Sequence, residues 1–252
     1  MSPGSHPHLY VATPAYGCKL FPQFALSVLQ LQAACIKNRI QISIDLLGNE
    51  SLVQRGRNIL TARFLKSNAT HLMFIDADIA FSPDSVLKLL RSEKDVVSGV
   101  YAKKSIDWKQ VVAKRNGPEP VHQRGLDFNL NIVGDTKVTD GIVEVLDTAT
   151  GFLMIRRHVI ELMCDKYPDL WVKNDIAGGT GVDSYCAIFD CMIDLDTRRY
   201  LSEDYSFCRR WQALDGKVHA DITIPLGHIG THSFAISHAV STAAPSDGPR
   251  TR

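Results

Sequence analysis

The feature that most constrains this 252-residue chain is the stretch HLMFIDADIAFSPDS, residues 71–85. Leu72 to Ile75 read as a short buried strand, and the run stops at two carboxylates one residue apart, Asp76 and Asp78. Ser82, Pro83 and Asp84 then read as an N-cap followed by proline at the first helical position. The acids therefore sit where a strand ends and a helix is about to begin. Two anions at that spacing repel each other beside an apolar sheet unless a positive charge neutralises them. A divalent cation is one answer; bonding of both acids to backbone amides in a turn is the other.

Strand and helix patterns alternate on both sides of this point. LYVATPAYG reads as a strand entering a turn, and Phe24, Val28, Leu31 and Cys35 share one face of a helix over about 22–38. RIQISIDLLG alternates as a second strand, and Val53, Leu60 and Phe64 line a helix over about 52–67. The capped helix runs to about Ser92, and DVVSGVYAKK reads as one further strand. Such alternation predicts an α/β fold with a mostly parallel central sheet flanked by helices.

The second half is less regular. GPEPVHQRGLDFNLNIVGDTKVTDG is rich in turn residues, IVEVLDTATGFLMIRR reads as one or two strands, and a helix follows through about Lys166. Residues 173–199 carry no hydrophobic period and include GGTG, so a flexible lid is expected there. No linker divides the chain. A single domain over 1–240 is expected, with a nucleotide-binding half at about 9–101, an acceptor-binding half at about 102–240 and a disordered tail at 241–252.

Composition excludes several classes. A net charge of +1, with 22% charged and 45% hydrophobic residues, lacks the basic excess of a non-specific nucleic-acid binder. The six cysteines form no C-x-x-C pair, so neither a disulfide framework nor a zinc ribbon is indicated. MSPGSHPHLYVA lacks the basic and apolar regions of a secretory signal, and no apolar run reaches the roughly 18 residues of a membrane helix, so a cytoplasmic location is expected.

Other groups gather near strand and helix ends. QRGRN places Arg55, Arg57 and Asn58 at a helix start, where the dipole favours anions, although arginines on helices are commonly solvated. In SEDYSFCRRW, Ser202 is an N-cap, and Phe207, Trp211 and Leu214 give the helix a buried face. Glu203 and Asp204 are then either a catalytic pair or first-turn acids stabilised by the dipole. DITIPLGHIGTHSF ends an apolar run in His228 and His232, and a neutral imidazole there suits a metal shell. Lys103 and Lys104 follow a strand, where one cation would offset phosphate charge. Gly151, in TATGFLMI, permits close backbone approach.

In order, ATPAYG, RGRN, the D-x-D of FIDADI, ATGFLMIRR, SEDYSFCRRW and GHIGTHSF resemble the metal-dependent glycosyltransferases of GT-A fold, especially the inverting, family 2-like group that uses nucleotide-sugar donors. The resemblance implies that Thr13, Pro14, Ala15 and Tyr16 line the nucleoside pocket and that Arg57, Asn58, Asp76, Ala77, Asp78 and Lys103 surround the donor. It implies Asp78, Asp76 and His228, with His232 as the alternative histidine, as ligands of Mn2+ or Mg2+, and Asp204 or Glu203 as the base that deprotonates a glycan or other acceptor hydroxyl. TATG falls on the acceptor side. The rival functions are a sugar-phosphate nucleotidyltransferase, against which the single glycine of ATPAYGCKLF counts, and a non-catalytic sugar-nucleotide or glycan-binding module.

Overall fold

The computed structural model describes residues 7–117, 120–128, 130–134, 136–176 and 180–230. The expected tail at 241–252 and His232 lie outside the described residues. The first half contains β1 (His8–Ala15), α1 (Pro22–Lys37), β2 (Gln41–Gly48), α2 (Val53–Lys66), β3 (His71–Ile75), β4 (Ile79–Phe81), α3 (Pro83–Arg91), β5 (Val96–Gly99) and β6 (Ala102–Ile106). The second half continues with α4 (Trp108–Ala113), β7 (Leu126–Phe128), β8 (Leu130–Ile132), β9 (Ile142–Thr148), β10 (Phe152–Arg156), α5 (Arg157–Lys166), β11 (Trp171–Lys173) and β12 (Ser184–Cys186). The last elements are β13 (Met192–Ile193), β14 (Tyr200–Leu201), α6 (Glu203–Gln212), β15 (Val218–Asp221) and β16 (Leu226–His228).

One eight-stranded sheet, ordered β2-β1-β3-β10-β5-β15-β9-β8, organises the molecule. β1 is parallel to both β2 and β3, and β15 is parallel to β5. β10 is inserted antiparallel between β3 and β5, and β9, antiparallel to both its neighbours, joins β8 to the far edge. Six strands, β1, β2, β3, β5, β8 and β15, thus share one direction, and the fold is α/β with a mostly parallel sheet. β3 and β5 are buried at every residue, which is why Leu72–Ile75 and Val96–Val97 show no polar alternation.

Each face of the sheet has its own core. Phe24, Val28 and Leu31 of α1 and Val86 and Leu89 of α3 pack with Leu9, Val11, Met73 and Val97 on one face. Ile59, Leu60 and Phe64 of α2, Val159 and Ile160 of α5 and Phe207 and Trp211 of α6 cover the other. α3 starts as its sequence dictates: the Ser82 side chain accepts from the Ser85 N–H, with Pro83 in the first turn.

Two expectations change. DVVSGVYAKK is two strands, because the chain leaves the main sheet after Gly99 and β6 pairs with β7 instead. Part of the expected lid is core: Ile188 and Phe189 are 0% exposed, β12 pairs with β11, and Phe189 stacks on Phe207 with ring centroids 4.6 Å apart. The apolar residues of DSYCAIFD lie in a short strand and the turn after it, so they bury side chains without showing a period.

Candidate active site

β3 ends at Ile75 and delivers Asp76, and the antiparallel β10 begins at the same end, with Phe152 opposite Ile75. The Asp76 N–H donates to the Gly151 carbonyl at 2.9 Å, so the TATG turn is fastened directly to the D-x-D. A side chain at 151 has no room: a Cβ there would lie 2.3 Å from the Tyr101 hydroxyl and 2.7 Å from Asp76 Oδ2. The Gly151 N–H donates to Tyr101 Oη at 3.0 Å.

Arg57 lies beneath this junction and is only 3% exposed. Its Nη2 donates to Asp76 Oδ1 at 3.0 Å, its Nε faces Glu203 Oε1 at 3.4 Å, and its guanidinium carbon stands 5.2 Å from the centre of the Phe74 ring. α2 thereby places one cation between the strand-end acid and the first turn of α6. Two acids drawn together need such a charge, since neither is well solvated. Burial, helped by the neighbouring Asp204, still holds the Glu203 carboxyl above its ordinary range, against the pull of Arg57.

Asp78 faces elsewhere. β16 runs antiparallel to β4 with His228 opposite Ile79, which sets the histidine beside the residue preceding that strand. His228 Nδ1 lies 2.7 Å from the Ala102 carbonyl, an atom that only accepts, so Nδ1 carries the proton. In the neutral ring, Nε2 then presents its lone pair toward Asp78 Oδ1 at 3.6 Å. Asp78 Oδ1 is buried without a hydrogen-bond partner, while Oδ2 is paired with Lys104. The His228 ring packs edge-on against Tyr101 at 5.1 Å.

His228 and Lys104, but not Asp78 itself, border an open cleft of about 380 Å3 that is also lined by Arg57, Asp76, Tyr101, Lys103, Glu203 and Asp204. Asp204 Oδ1 accepts from the Ser202 hydroxyl and from the Tyr205 N–H at 2.8 Å, leaving Oδ2 without a partner among the described residues. Ser202 therefore supports Asp204 in place of capping α6 with its own side chain.

The remaining expected site residues are distributed differently. Thr13 is fully buried with its hydroxyl unpaired, Ala15 is buried, Pro14 is half-buried and Tyr16 is 73% exposed. They do not line the cleft, but β1 pairs Ala12 with Phe74, and continuing that register sets Pro14 level with Asp76. The Ala77 carbonyl accepts from the Phe21 N–H at 3.1 Å. Asn58 is buried and its Oδ1 accepts from the Phe189 N–H at 3.0 Å, so its amide fastens the core segment and is turned to the protein. Lys103 pairs with Asp127 at 2.7 Å on the surface, and Lys104 is the lysine that meets the D-x-D.

Asp76 and Asp78 thus have separate partners, and among the described residues no group of three or more His, Cys, Asp or Glu side chains is gathered as a metal shell. The donors open to a divalent cation are Asp78 Oδ1 and His228 Nε2, an unpaired buried oxygen of the kind hard cations take facing a nitrogen of the kind borderline cations take. Tyr101 has no sequence motif to mark it. Its hydroxyl, kept protonated by burial and by Asp76, is positioned only by the tertiary fold.

No protein-family model matches the chain, and no curated protein matches it. Among solved structures it is similar to A197 from STIV, with 17% identity, a TM-score of 0.47 and coverage of 89% of this chain and 86% of that one. It is also similar to a glycosyltransferase involved in glycosylation of the major capsid of PBCV-1 (7% identity, TM-score 0.32, 62% of this chain and 63% of that one). A third likeness is to the inositol-1-phosphate CTP transferase from T. maritima (10% identity, TM-score 0.40, 90% of each chain). These likenesses are distant, and the chemistry of the site rests on its own side chains.

Proposed function

We propose that the protein is a metal-dependent glycosyltransferase that moves a sugar from a UDP- or GDP-sugar to a hydroxyl of a glycan or another acceptor, with inversion. The observation that carries this reading is the meeting of two kinds of group on one cleft: His228 and Lys104, both of which reach Asp78, and the acids Glu203 and Asp204, with Arg57 bridging Asp76 and Glu203. The first group suits a diphosphate and its cation; the second suits a proton acceptor.

In this reading the diphosphate lies against Lys104 and Lys103, whose charges offset the negative charge that develops on the leaving nucleotide. Bound Mn2+ or Mg2+, held by Asp78 and His228, would supply Lewis-acid stabilisation of the same oxygens. Asp204 Oδ2 takes the acceptor proton, and the acceptor oxygen displaces the nucleoside diphosphate from the opposite face of the anomeric carbon. Asp204 suits that role because Ser202 and the Tyr205 N–H fix its other oxygen. Glu203, held toward Arg57, is the alternative base.

The test is to incubate the protein with Mn2+ and a panel of UDP- and GDP-sugars and to follow nucleoside diphosphate release, with and without simple glycan acceptors. Release that depends on metal and is accelerated by an acceptor supports the reading. Pyrophosphate release from a nucleoside triphosphate and a sugar phosphate would establish nucleotidyl transfer in its place, and binding without turnover would establish a non-catalytic module.

A further inference from the structure

We propose that the protein carries a second ligand site, separate from the candidate active site, that takes a phosphate group, free or esterified to a small molecule, against Arg91, Lys94 and Lys137. The site is a cavity of about 460 Å3 formed by the end of α3, the segment before β9 and the sheet, and it shares no lining residue with the active-site cleft. Sheet register builds its floor. His219 of β15 stands opposite Val97 of β5, which packs in the core under α3, and opposite Glu144 of β9, so His219 and Glu144 project from the α3 face of the sheet. α3 ends at Arg91, and its last turns form one wall.

The other wall is held by backbone bonds. Thr139 and Ile142 exchange two N–H to carbonyl bonds of 2.9 Å, the Ile222 N–H donates to the Gly141 carbonyl at 2.9 Å, and Gly141 adopts a φ of 81°, which favours glycine. The Thr136 N–H donates to the Val133 carbonyl at 3.1 Å, so the chain leading into Lys137 is also closed into a turn. Fixed walls spare a ligand the cost of ordering them.

The charges around this cavity do not cancel. Lys88 is paired with the buried Asp221 at 2.6 Å, and Glu144 with Lys217 at 2.9 Å. Arg91, Lys94 and Lys137 remain as cations and Asp140 as an anion, none of them in an ion pair among the described residues, and three against one leaves an excess of two positive charges. The α3 dipole accounts for a cation at Arg91, but Lys94 and Lys137 lie outside the helix. A phosphate monoester carries about −1.5 to −2 charge at pH 7 with three acceptor oxygens, which matches that excess and suits the fork of the Arg91 guanidinium. Small-molecule sites occupy about 300–1,000 Å3, so the body of an ester also has room. His219 reports on the same place. Its Nδ1 is buried without a hydrogen-bond partner, and burial, then the charge of Lys94 and more weakly that of Lys217, hold its pKa below the ordinary value against the Val96 carbonyl and Glu144. Glu93, Asp95 and Asp215 border the neighbouring hollow that the ring also lines. An anion bound beside Lys94 opposes the depression of the ring.

Calorimetric titration of the full chain at pH 7 with inorganic phosphate and, separately, with glucose 6-phosphate tests the site, with sodium chloride of matched ionic strength as the control for screening. Saturable binding is expected. A tighter ester identifies an esterified phosphate as the ligand, and a tighter free ion identifies inorganic phosphate; either upholds the site. Lys94→Ala and Lys137→Ala should each weaken binding about tenfold, the loss of one charge-assisted contact, with the melting transition unchanged. Lys104→Ala, at the active-site cleft, should leave this binding intact. The His219 ring resonance, assigned by its absence from His219→Asn, should titrate at higher pH in phosphate than in chloride. No binding at millimolar ligand overturns the proposal, as does a His219 titration that phosphate leaves unmoved. Binding that survives both Lys94→Ala and Lys137→Ala but is lost in Lys104→Ala places the anion in the other cleft and overturns it as well.

Discussion

His228 Nε2 and Asp78 Oδ1 face each other across 3.6 Å at the seam where β16 runs antiparallel to β4. The separation is longer than a good hydrogen bond, and neither atom has another hydrogen-bond partner among the described residues. The Ala102 carbonyl fixes the histidine proton on Nδ1, which leaves the Nε2 lone pair free. In the proposed function the pair would hold a cation; Lys104 on the other Asp78 oxygen is the counter-charge that the protein itself supplies.

Nucleotide affinity is accordingly expected to depend on divalent metal through these two residues. Calorimetric titration of UDP and GDP should show tighter binding with Mn2+ than with chelator. Asp78→Ala and His228→Ala should each remove most of that difference; a charge-assisted contact contributes about 1.5–3 kcal/mol, or roughly 10- to 100-fold in affinity. Equal affinities with and without metal in the wild-type protein would exclude the cation.

Arg57 is expected to matter for folding as much as for chemistry. Arg57→Met leaves Asp76 and Glu203 without their shared cation, and breaking a buried pair in this way costs about 3–5 kcal/mol. Urea denaturation at pH 7 should register that loss, and at pH 4 the loss should be smaller because protonation removes the uncompensated charge. A midpoint unchanged at both pH values would mean that the guanidinium does not neutralise these acids.

Glu203 carries its own pH signature. Below its ordinary value of 4.5 the carboxyl is neutral both folded and unfolded, so it has no electrostatic effect on stability. Above that value the unfolded chain ionises first, because burial raises the folded-state value. The wild-type protein should therefore lose stability relative to Glu203→Gln as pH rises from 4.5 through the raised value, and the difference should then level off. Denaturation of both proteins between pH 4 and pH 8 measures this; a gap that narrows with rising pH would show that the pull of Arg57 outweighs burial.

What the sequence disclosed followed from local rules. Asp76 and Asp78 end a strand, Ser82 caps a helix, and Glu203 and Asp204 open another, because strand period, capping and helix dipoles act over a few residues. What stayed hidden depends on contacts between distant segments. Hydrophobic runs do not encode strand direction, so the antiparallel β10 between β3 and β5 was not readable, although it is what brings Gly151 to Asp76. Arg57 and Asn58 are neighbours in one motif, yet helical geometry turns the first to the acids and the second to Phe189. Tyr101 had no pattern at all.

The segment expected to act as a lid now divides into two parts. Residues 182–189 are anchored by Asn58 to Phe189 N–H and by Arg210 to the Ile188 carbonyl at 2.9 Å. Ile193 and Leu195, around the turn that joins β13 to β14, are 55% and 77% exposed. Limited proteolysis is expected to cut at Arg198 or Arg199 while leaving 182–190 intact, and a nucleotide sugar with Mn2+ should slow that cut if the turn closes over the donor. Early cleavage within 182–190 would mean that this stretch opens as well.

The base is decided by which carboxylate is free to receive a proton. Both hydrogen bonds to Asp204, a residue of the cleft, fall on Oδ1 and leave Oδ2 without a partner among the described residues, whereas Glu203 Oε1 is directed at Arg57. Asp204→Asn should leave donor binding nearly unchanged and lower turnover by roughly 10²- to 10⁴-fold, the range for losing general acid–base catalysis. Glu203→Gln should lower turnover less, because it removes a partner of Arg57 and spares the proton acceptor. Reversed effects would exchange the two roles and keep the mechanism. Full turnover by both variants at saturating donor and acceptor would return the two acids to ordinary first-turn residues of α6. Proton NMR of the first-formed product reads the same question at the anomeric carbon: a single displacement driven by Asp204 gives the inverted anomer, and a retained anomer would require a different mechanism, whichever carboxylate the kinetics select.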